Sequence, residues 1–139
     1  LWHGAPTWPV WWRICVAAET PQKYDKGTVP GGVIAYGAAV FDGEPAYGAI
    51  DGAWLTGGDY VVLHRLAVAD GEKGRGVAAE FMRRTEALAR GRGVGSFRVD
   101  TNFDNRYMLR MLERLRFAYC GKIIYESGER LAFEKPFEA

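Results

Sequence analysis

The chain has 139 residues, of which 48% are hydrophobic and 25% charged, and its formal net charge is +1. This balance predicts one soluble globular domain over residues 1–139, long enough for a real core. A charge so close to neutral argues against a dedicated nucleic-acid binder, whose affinity comes from neutralising many phosphates. No apolar run approaches the ~20 residues of a membrane span, and the first residues lack the order of a secretory signal. We therefore expect a cytoplasmic protein that binds neither nucleic acid nor a membrane.

The first part of the chain predicts irregular structure and strands. Residues 1–31 form an atypical, Trp-rich segment interrupted by prolines, and within it residues 13–19 have the apolar, β-branched content of a strand. Residues 33–41 predict a second strand. The Gly-rich stretch after it predicts a short strand at 47–51 and a loop around 55–59.

Residues 60–69, YVVLHRLAVA, give the strongest strand prediction in the chain. Their nearly continuous apolar character is typical of a strand with both sheet faces covered, so we expect it to be the central strand. If this strand is regular, alternate residues share one face. The residues on that face would be Tyr60, Val62, His64, Leu66 and Val68.

The rest of the chain alternates helices and strands. Val77, Phe81 and Leu88 recur at helical spacing, and Gly91 and Gly93 follow as helix-ending residues. This order predicts a mixed α/β fold, with a central mixed sheet flanked by helices. The remaining predicted elements are a strand at 96–101, a helix from Asn105 to about Arg116, and strands at 117–125 and 130–137.

A glycine-rich turn, VADGEKGRG at residues 68–76, lies directly before the first predicted helix. A helix N-terminus attracts anions through its unpaired N–H groups and its dipole. Gly74 and Gly76 would let phosphate oxygens approach the backbone, and Lys73 and Arg75 add positive charge. The spacing fits neither a P-loop nor a dinucleotide fingerprint. On the turn alone, a pyrophosphate site and a plain turn with solvated basic side chains both stay open.

Two blocks of sequence resemble the GCN5-related N-acetyltransferases (GNAT). The segment KGRGVA resembles their acetyl-coenzyme A signature, Gln/Arg-x-x-Gly-x-Gly/Ala, with Lys73, Gly76 and Ala78 at the defined positions. Residues 98–125 resemble the family's later segment, in which an Asn opens a helix that runs to a Phe; Asn105 and Phe117 occupy those places. With YVVLHRLAV before them, these blocks look like one bacterial subgroup, and the resemblance covers residues 32–137.

The resemblance implies the family's fold, acetyl-coenzyme A (acetyl-CoA) as cosubstrate, and acetyl transfer to an amine of a small molecule, peptide or protein. In that fold the pantetheine arm lies where the central strand diverges from its parallel neighbour. Asn105 would contact it from the second helix, although Asn is also an ordinary N-cap. The residues implied in cofactor binding are Leu66, Ala67, Val68, Lys73, Gly74, Arg75, Gly76, Val77, Ala78 and Asn105.

His64 is the candidate catalytic base. The family usually places a base on the central strand, and a histidine titrates near neutral pH. A histidine in a strand is also often only a hydrogen-bonded structural residue, and this interpretation stays open. No metal site is predicted, because Cys15 and Cys120 are isolated and lack metal-ligand spacing.

The chain departs from the family in two places. Leu112 stands where many members carry a Tyr that protonates the leaving thiolate, so Tyr107, Tyr119, Cys120 or water would have to substitute. The front also lacks the amphipathic helices that usually build part of the acceptor site. Its tryptophans would cover the sheet or form a homodimer interface, where Trp is favoured. These are Trp2, Trp8, Trp11 and Trp12.

Two other functions are compatible with these departures. The first is a catalytically degenerate module that binds acyl-CoA without turnover. The second is a protein interaction domain whose glycine turn binds nothing, which would show no stabilisation by coenzyme A.

Overall fold

The computed structural model describes residues 14–15, 35–68 and 70–138. Of the strand predicted at 13–19, Ile14–Cys15 (β1) is present. The other predictions for residues 1–34, including the position of the tryptophans, lie outside the described residues.

The described strands form one seven-stranded mixed sheet with the order β1-β2-β4-β5-β7-β6-β3. Only β4 and β5 pair in parallel, and every other neighbouring pair is antiparallel. The predicted fold class is therefore confirmed. The strands after β1 are Ala35–Val40 (β2), Asp51–Gly52 (β3), Val61–Val68 (β4), Ser96–Thr101 (β5), Ala118–Tyr125 (β6) and Gly128–Pro136 (β7).

Strand β4 is an interior strand, as the sequence predicted. It lies between antiparallel β2 and parallel β5. Its first three residues, Val61, Val62 and Leu63, are all buried, because the sheet is covered on both faces at this point.

Two helices are described, Val77–Gly91 (α1) and Arg106–Arg114 (α2). Helix α2 begins where predicted, and its N-cap Asn105 accepts a hydrogen bond from the Met108 backbone N–H at 3.1 Å. Gly91 is the last residue of helix α1, and Arg92 is its C-cap. The left-handed turn just beyond the helix is formed by Gly93 (φ +76°).

The apolar core has two parts, one on each face of the sheet. The larger part packs Val61 and Leu63 of β4 against α1 and α2, through residues such as Phe81 and Met111. On the opposite face, Val62 packs with Tyr47 and neighbouring residues. We call these the helix face and the far face of the sheet.

The strand predicted at 47–51 is wrong. Residues Pro45–Ala49 form a 3-10 helix, and only Asp51–Gly52 pairs with β6. Pro45 suits a helix start because it needs no backbone N–H there, and the Glu44 side chain caps the turn by accepting from the Ala46 backbone N–H. The buried Tyr47 then anchors this segment against the far face.

The expectation of a regular central strand is also wrong. Arg65 has φ +57°, and the pairing of β4 with β2 shifts register there, from Ala38 opposite His64 to Tyr36 opposite Ala67. This is a β-bulge, which reverses the alternation of side chains beyond it. A regular strand would have placed Leu66 and Val68 on the far face with Val62. Because of the bulge, both pack on the helix face instead.

A buried ion pair fixes the loop before β4. Arg98 of β5 contacts Glu134 of β7 at 3.0 Å, and the two side chains are 6% and 0% exposed. The Glu134 carboxylate also accepts from the Leu55 and Thr56 backbone N–H groups and from the Ser96 hydroxyl. Burial by itself would raise the pKa of Glu134, but these hydrogen bonds and the guanidinium together lower it.

Candidate active site

A cavity of about 600 Å³ lies on the helix face, between the end of β4 and the beginnings of α1 and α2. Eight of the ten residues predicted to bind the cofactor line it. They are Leu66, Ala67, Val68, Lys73, Gly74, Val77, Ala78 and Asn105, and they are joined by Tyr107, Met108 and Met111. Arg75 and Gly76 are not among the lining residues. We call this space the first cavity.

The first cavity exists because β4 and β5 separate. Their parallel pairing is limited to Val61 opposite Phe97 and Val62 opposite Arg98. From Leu63 onward no register joins the two strands, so β4 presents backbone groups along the opening. Unpaired strand backbone of this kind can bind an extended ligand by hydrogen bonds in the manner of an added strand.

The glycine turn closes one end of the first cavity. Gly74 and Gly76 have φ values of +80° and +76°, and neither would bring an added Cβ within 4 Å of another atom. Gly76 is the N-cap of α1 and provides no side-chain cap. The N–H groups of the first turn therefore lack a side-chain acceptor, which makes this helix start suited to an anion.

The basic residues of this turn differ in their surroundings. The Lys73 ammonium lies 2.9 Å from the Asp70 carboxylate, and this exposed pair lowers the pKa of Asp70 through the lysine's hydrogen bond and charge. Arg75 is exposed at the surface. Lys73 is thus the predicted basic residue that lines the first cavity.

A second cavity of about 790 Å³ lies on the far face, beside the same strand. His64 lines it, so the bulge at Arg65 separates His64 from Leu66 of the first cavity. The Nε2 atom of His64 lies 3.8 Å from Oε1 of Glu44, and both side chains are partly exposed, 33% and 22%. His64, the predicted base, and Leu66, a predicted cofactor residue, therefore lie on opposite faces of one strand.

Asp100, at the end of β5, is the centre of a polar cluster in the second cavity. Its Oδ2 accepts from the Tyr47 hydroxyl at 2.7 Å and from the Tyr125 hydroxyl at 3.2 Å, while Arg130 pairs with its Oδ1. Burial first, and then the Asp100 charge, raise the pKa of Tyr47 and of Tyr125. Both phenols therefore stay protonated at neutral pH and act as donors to the carboxylate.

Sequence reasoning missed two members of the second cavity. The sequence predictions gave no role to Glu44, which follows the strand predicted at 33–41, or to Arg130, in the strand predicted at 130–137. Glu44 lies in the turn after β2, and β2 pairs with β4, the strand that carries His64. A carboxylate in that turn is the signal that could have identified Glu44. Asp100 lies within the segment 98–125 that resembles the family, but no role was predicted for it.

Leu112 occupies the position of the family's tyrosine proton donor, and the residues predicted to replace that donor lie in different places. Leu112 is fully buried in the core of the helix face. Tyr107 is half-exposed and lines the first cavity. Tyr119 packs edge-on against Phe133, and burial raises the pKa of the Cys120 thiol; neither residue lines either cavity.

These features define a mixed α/β fold in which β4 separates from β5 beside a glycine-rich helix start, with a candidate base on the reverse face of β4. The sequence model of the Acetyltransferase (GNAT) family matches residues 5–117. The chain belongs to this family. The match begins in the Trp-rich front, which the resemblance at residues 32–137 had left out.

Solved structures agree with this assignment. A GNAT-family acetyltransferase from Streptococcus agalactiae is 34% identical, with a TM-score of 0.68 over 80% of this chain; this chain spans only 63% of that protein's length. NAA60 of Arabidopsis thaliana in complex with acetyl-CoA is 17% identical, with a TM-score of 0.68 over 87% of this chain and 74% of its own. The NatC complex bound to Gag peptide and CoA is 15% identical, with a TM-score of 0.69 over 89% of this chain and 71% of its own. The last two show the fold alone.

Curated protein sequences gave no match to this chain. Neither described helix combines the length and the apolar character that crossing a bilayer requires.

Proposed function

We propose that this protein binds acetyl-CoA in the first cavity and catalyses transfer of the acetyl group to an amine of a small molecule, peptide or protein. One observation carries the proposal: eight predicted cofactor residues, seven of them within residues 66–78 and the eighth Asn105 on the second helix's N-cap, line one cavity where β4 separates from β5. Family membership supports the same reaction.

The residues of the first cavity fit the chemistry of this cosubstrate. The backbone of Leu66, Ala67 and Val68 would hold the pantetheine arm, since no strand pairs with it on that side. The turn from Lys73 to Ala78 would hold the pyrophosphate, because its helix start has no side-chain cap and its glycines leave open space. Arg75 and Gly76 belong to this proposed cradle through the turn, although neither lines the cavity.

Acetyl-CoA supplies an activated acetyl group on a thioester. The protein has to place an amine against that group and remove a proton from the amine. We assign the second cavity to the amine and the proton transfer to His64, which lies there on the strand shared by both cavities. The nearby carboxylate of Glu44 suits a cavity that receives a positively charged ammonium.

The leaving thiolate needs a proton as well. Leu112 provides none and is buried. Among the alternatives predicted from sequence, Tyr107 is the side chain that lines the first cavity, so we assign it this role, with water as the alternative donor.

Other parts of the proposal rest on the sequence. A cytoplasmic location, membership of a bacterial subgroup and a homodimer formed through the Trp-rich front stay predictions, as does the absence of nucleic-acid and membrane partners.

Thermal unfolding with and without acetyl-CoA tests the binding step. At a hundred times its dissociation constant the ligand should stabilise the protein by about 2.7 kcal/mol. No stabilisation at millimolar acetyl-CoA would contradict the proposal and favour an interaction domain. Stabilisation without turnover on any amine would favour the degenerate binding module.

A further inference from the structure

We propose that Glu44 is a positioning residue for His64: its carboxylate orients the imidazole and stabilises the positive charge that the ring gains when it takes a proton from the acceptor. This inference rests on the proposed function, in which His64 is the base.

Glu44 is held in place from two sides. Its Oε2 accepts from the Ala46 backbone N–H at 3.3 Å, which makes it the N-cap of the 3-10 helix. Its own backbone N–H donates to the Tyr60 hydroxyl at 3.2 Å. Tyr60 in turn stacks on Tyr47 and on the guanidinium of the buried Arg98. The carboxylate is therefore fixed by the fold and leaves Oε1 directed at His64.

The Oε1 to Nε2 distance of 3.8 Å is too long for a hydrogen bond and short enough for an ion pair. A carboxylate at this distance favours the imidazolium over the neutral ring. The proton from the acceptor ammonium adds to Nδ1, Nε2 keeps its hydrogen toward Glu44, and the carboxylate itself stays ionised. This division of roles follows the general logic of a base oriented by a third group.

Arg130 and Tyr125, two other groups in the second cavity, do not replace Glu44. Arg130 donates from Nε to the Asp100 carboxylate and from one terminal nitrogen to the Asp100 backbone carbonyl, so the two charges largely compensate each other. Tyr125 stays protonated at neutral pH, as argued above. The charged and titratable side chains that line the second cavity with His64 and Glu44 are Asp42, Arg65, Asp100, Arg130 and Tyr125.

Glu44→Gln tests the inference, because the amide oxygen can still accept from Ala46 while the charge is lost. We expect kcat to fall roughly 10- to 100-fold with an unchanged KM for acetyl-CoA. Glu44→Asp keeps the charge and the capping oxygen, and should recover part of the rate. Glu129→Gln is the matched control, since Glu129 is exposed, pairs with Lys122 and lies outside the cavity.

Combining the change with His64→Ala separates this inference from the proposed function. In the His64→Ala background, Glu44→Gln should lower kcat no further. An equal loss in both backgrounds, or a Glu44→Gln enzyme as active as Glu129→Gln, would overturn the role of Glu44 while leaving His64 as base. Full activity of His64→Ala alone would overturn the base assignment, and with it this inference.

Discussion

His64 and Leu66 are two residues apart on β4, yet they lie on opposite faces of the sheet. A regular strand would place them on the same face. Arg65 between them has φ +57°, and the bulge it forms turns Leu66 toward the helices while His64 stays with the far face. Because of this irregularity, Leu66 lines the first cavity while His64 lines the second.

The backbone at Arg65 should limit which residues are tolerated there. A β-branched residue is strongly disfavoured at positive φ, whereas Asn accepts the left-handed region. Both Arg65→Val and Arg65→Asn remove the guanidinium, so comparing them isolates the backbone effect. We expect the free energy of unfolding in urea to be about 1–2 kcal/mol lower for the Val variant than for the Asn variant. Equal stabilities would mean that the bulge is not a constraint in solution.

A matched pair of glycine substitutions tests whether the glycine turn binds phosphate. Gly76 and Gly93 have the same φ of +76° and equally open surroundings, but they lie at opposite ends of α1. Gly76→Glu and Gly93→Glu therefore add similar backbone strain and the same charge. Only Gly76→Glu places that charge at the helix start, where it should repel phosphate.

Thermal shifts with acetyl-CoA check this pair. Gly93→Glu should retain the stabilisation of the unmodified protein, and Gly76→Glu should lose it. If acetyl-CoA stabilised both folded variants to the same extent, its phosphates would have to bind outside the glycine turn.

Tyr107 is the proposed proton donor to the leaving thiolate, and Tyr107→Phe removes only its hydroxyl. We expect kcat to fall roughly 10-fold or more, with acetyl-CoA affinity nearly unchanged. Tyr119→Phe is the control, because Tyr119 is similarly exposed and packs against Phe133 outside the cavity. Steady-state rates of the two variants measure this effect. An unchanged kcat for Tyr107→Phe would indicate that water, not Tyr107, protonates the leaving thiolate.

The buried Arg98–Glu134 pair predicts both a stability loss and its pH dependence. Glu134→Gln leaves Arg98 buried without its counter-charge, which should cost about 3–5 kcal/mol in the free energy of unfolding. Because the folded pKa of Glu134 is lowered, its contribution is complete above the ordinary carboxyl pKa and is lost as pH falls through the folded value.

Urea unfolding over a pH series measures this contribution. The stability gap between the unmodified protein and Glu134→Gln should narrow on acidification. The exposed Glu129→Gln should change stability by about 1 kcal/mol or less. If the unfolding free energies of the unmodified protein and Glu134→Gln differed little at every pH, the ion pair would contribute little to stability.

Much of this architecture was predictable because strong local patterns carry it. The continuous apolar run of β4 and the glycines before α1 are local signals, and the structure confirms the elements they predict. The bulge was not predictable, because an arginine gives no sign of a left-handed backbone. The segment at Pro45–Ala49 was missed because it is short and Gly-rich, and its shape depends on tertiary contacts of Tyr47.

The second cavity illustrates the same limit. Asp100 and Arg130 are 30 residues apart, and only the antiparallel pairing of β5 with β7 brings them together. Glu44 approaches His64 because β2 pairs with β4, a relationship that the residues themselves do not state. Sequence reasoning could therefore nominate a base but not its surroundings.

Release of free thiol from acetyl-CoA, measured over a panel of amines for the unmodified protein and His64→Ala, tests the central claim most directly. We predict amine-dependent release by the unmodified protein, with a rate that rises with pH through the histidine's titration. His64→Ala should lower turnover by roughly 10² to 10⁴ and lose that pH limb, while binding acetyl-CoA with nearly the same affinity. A folded His64→Ala variant with full turnover and an unchanged pH profile would contradict the account.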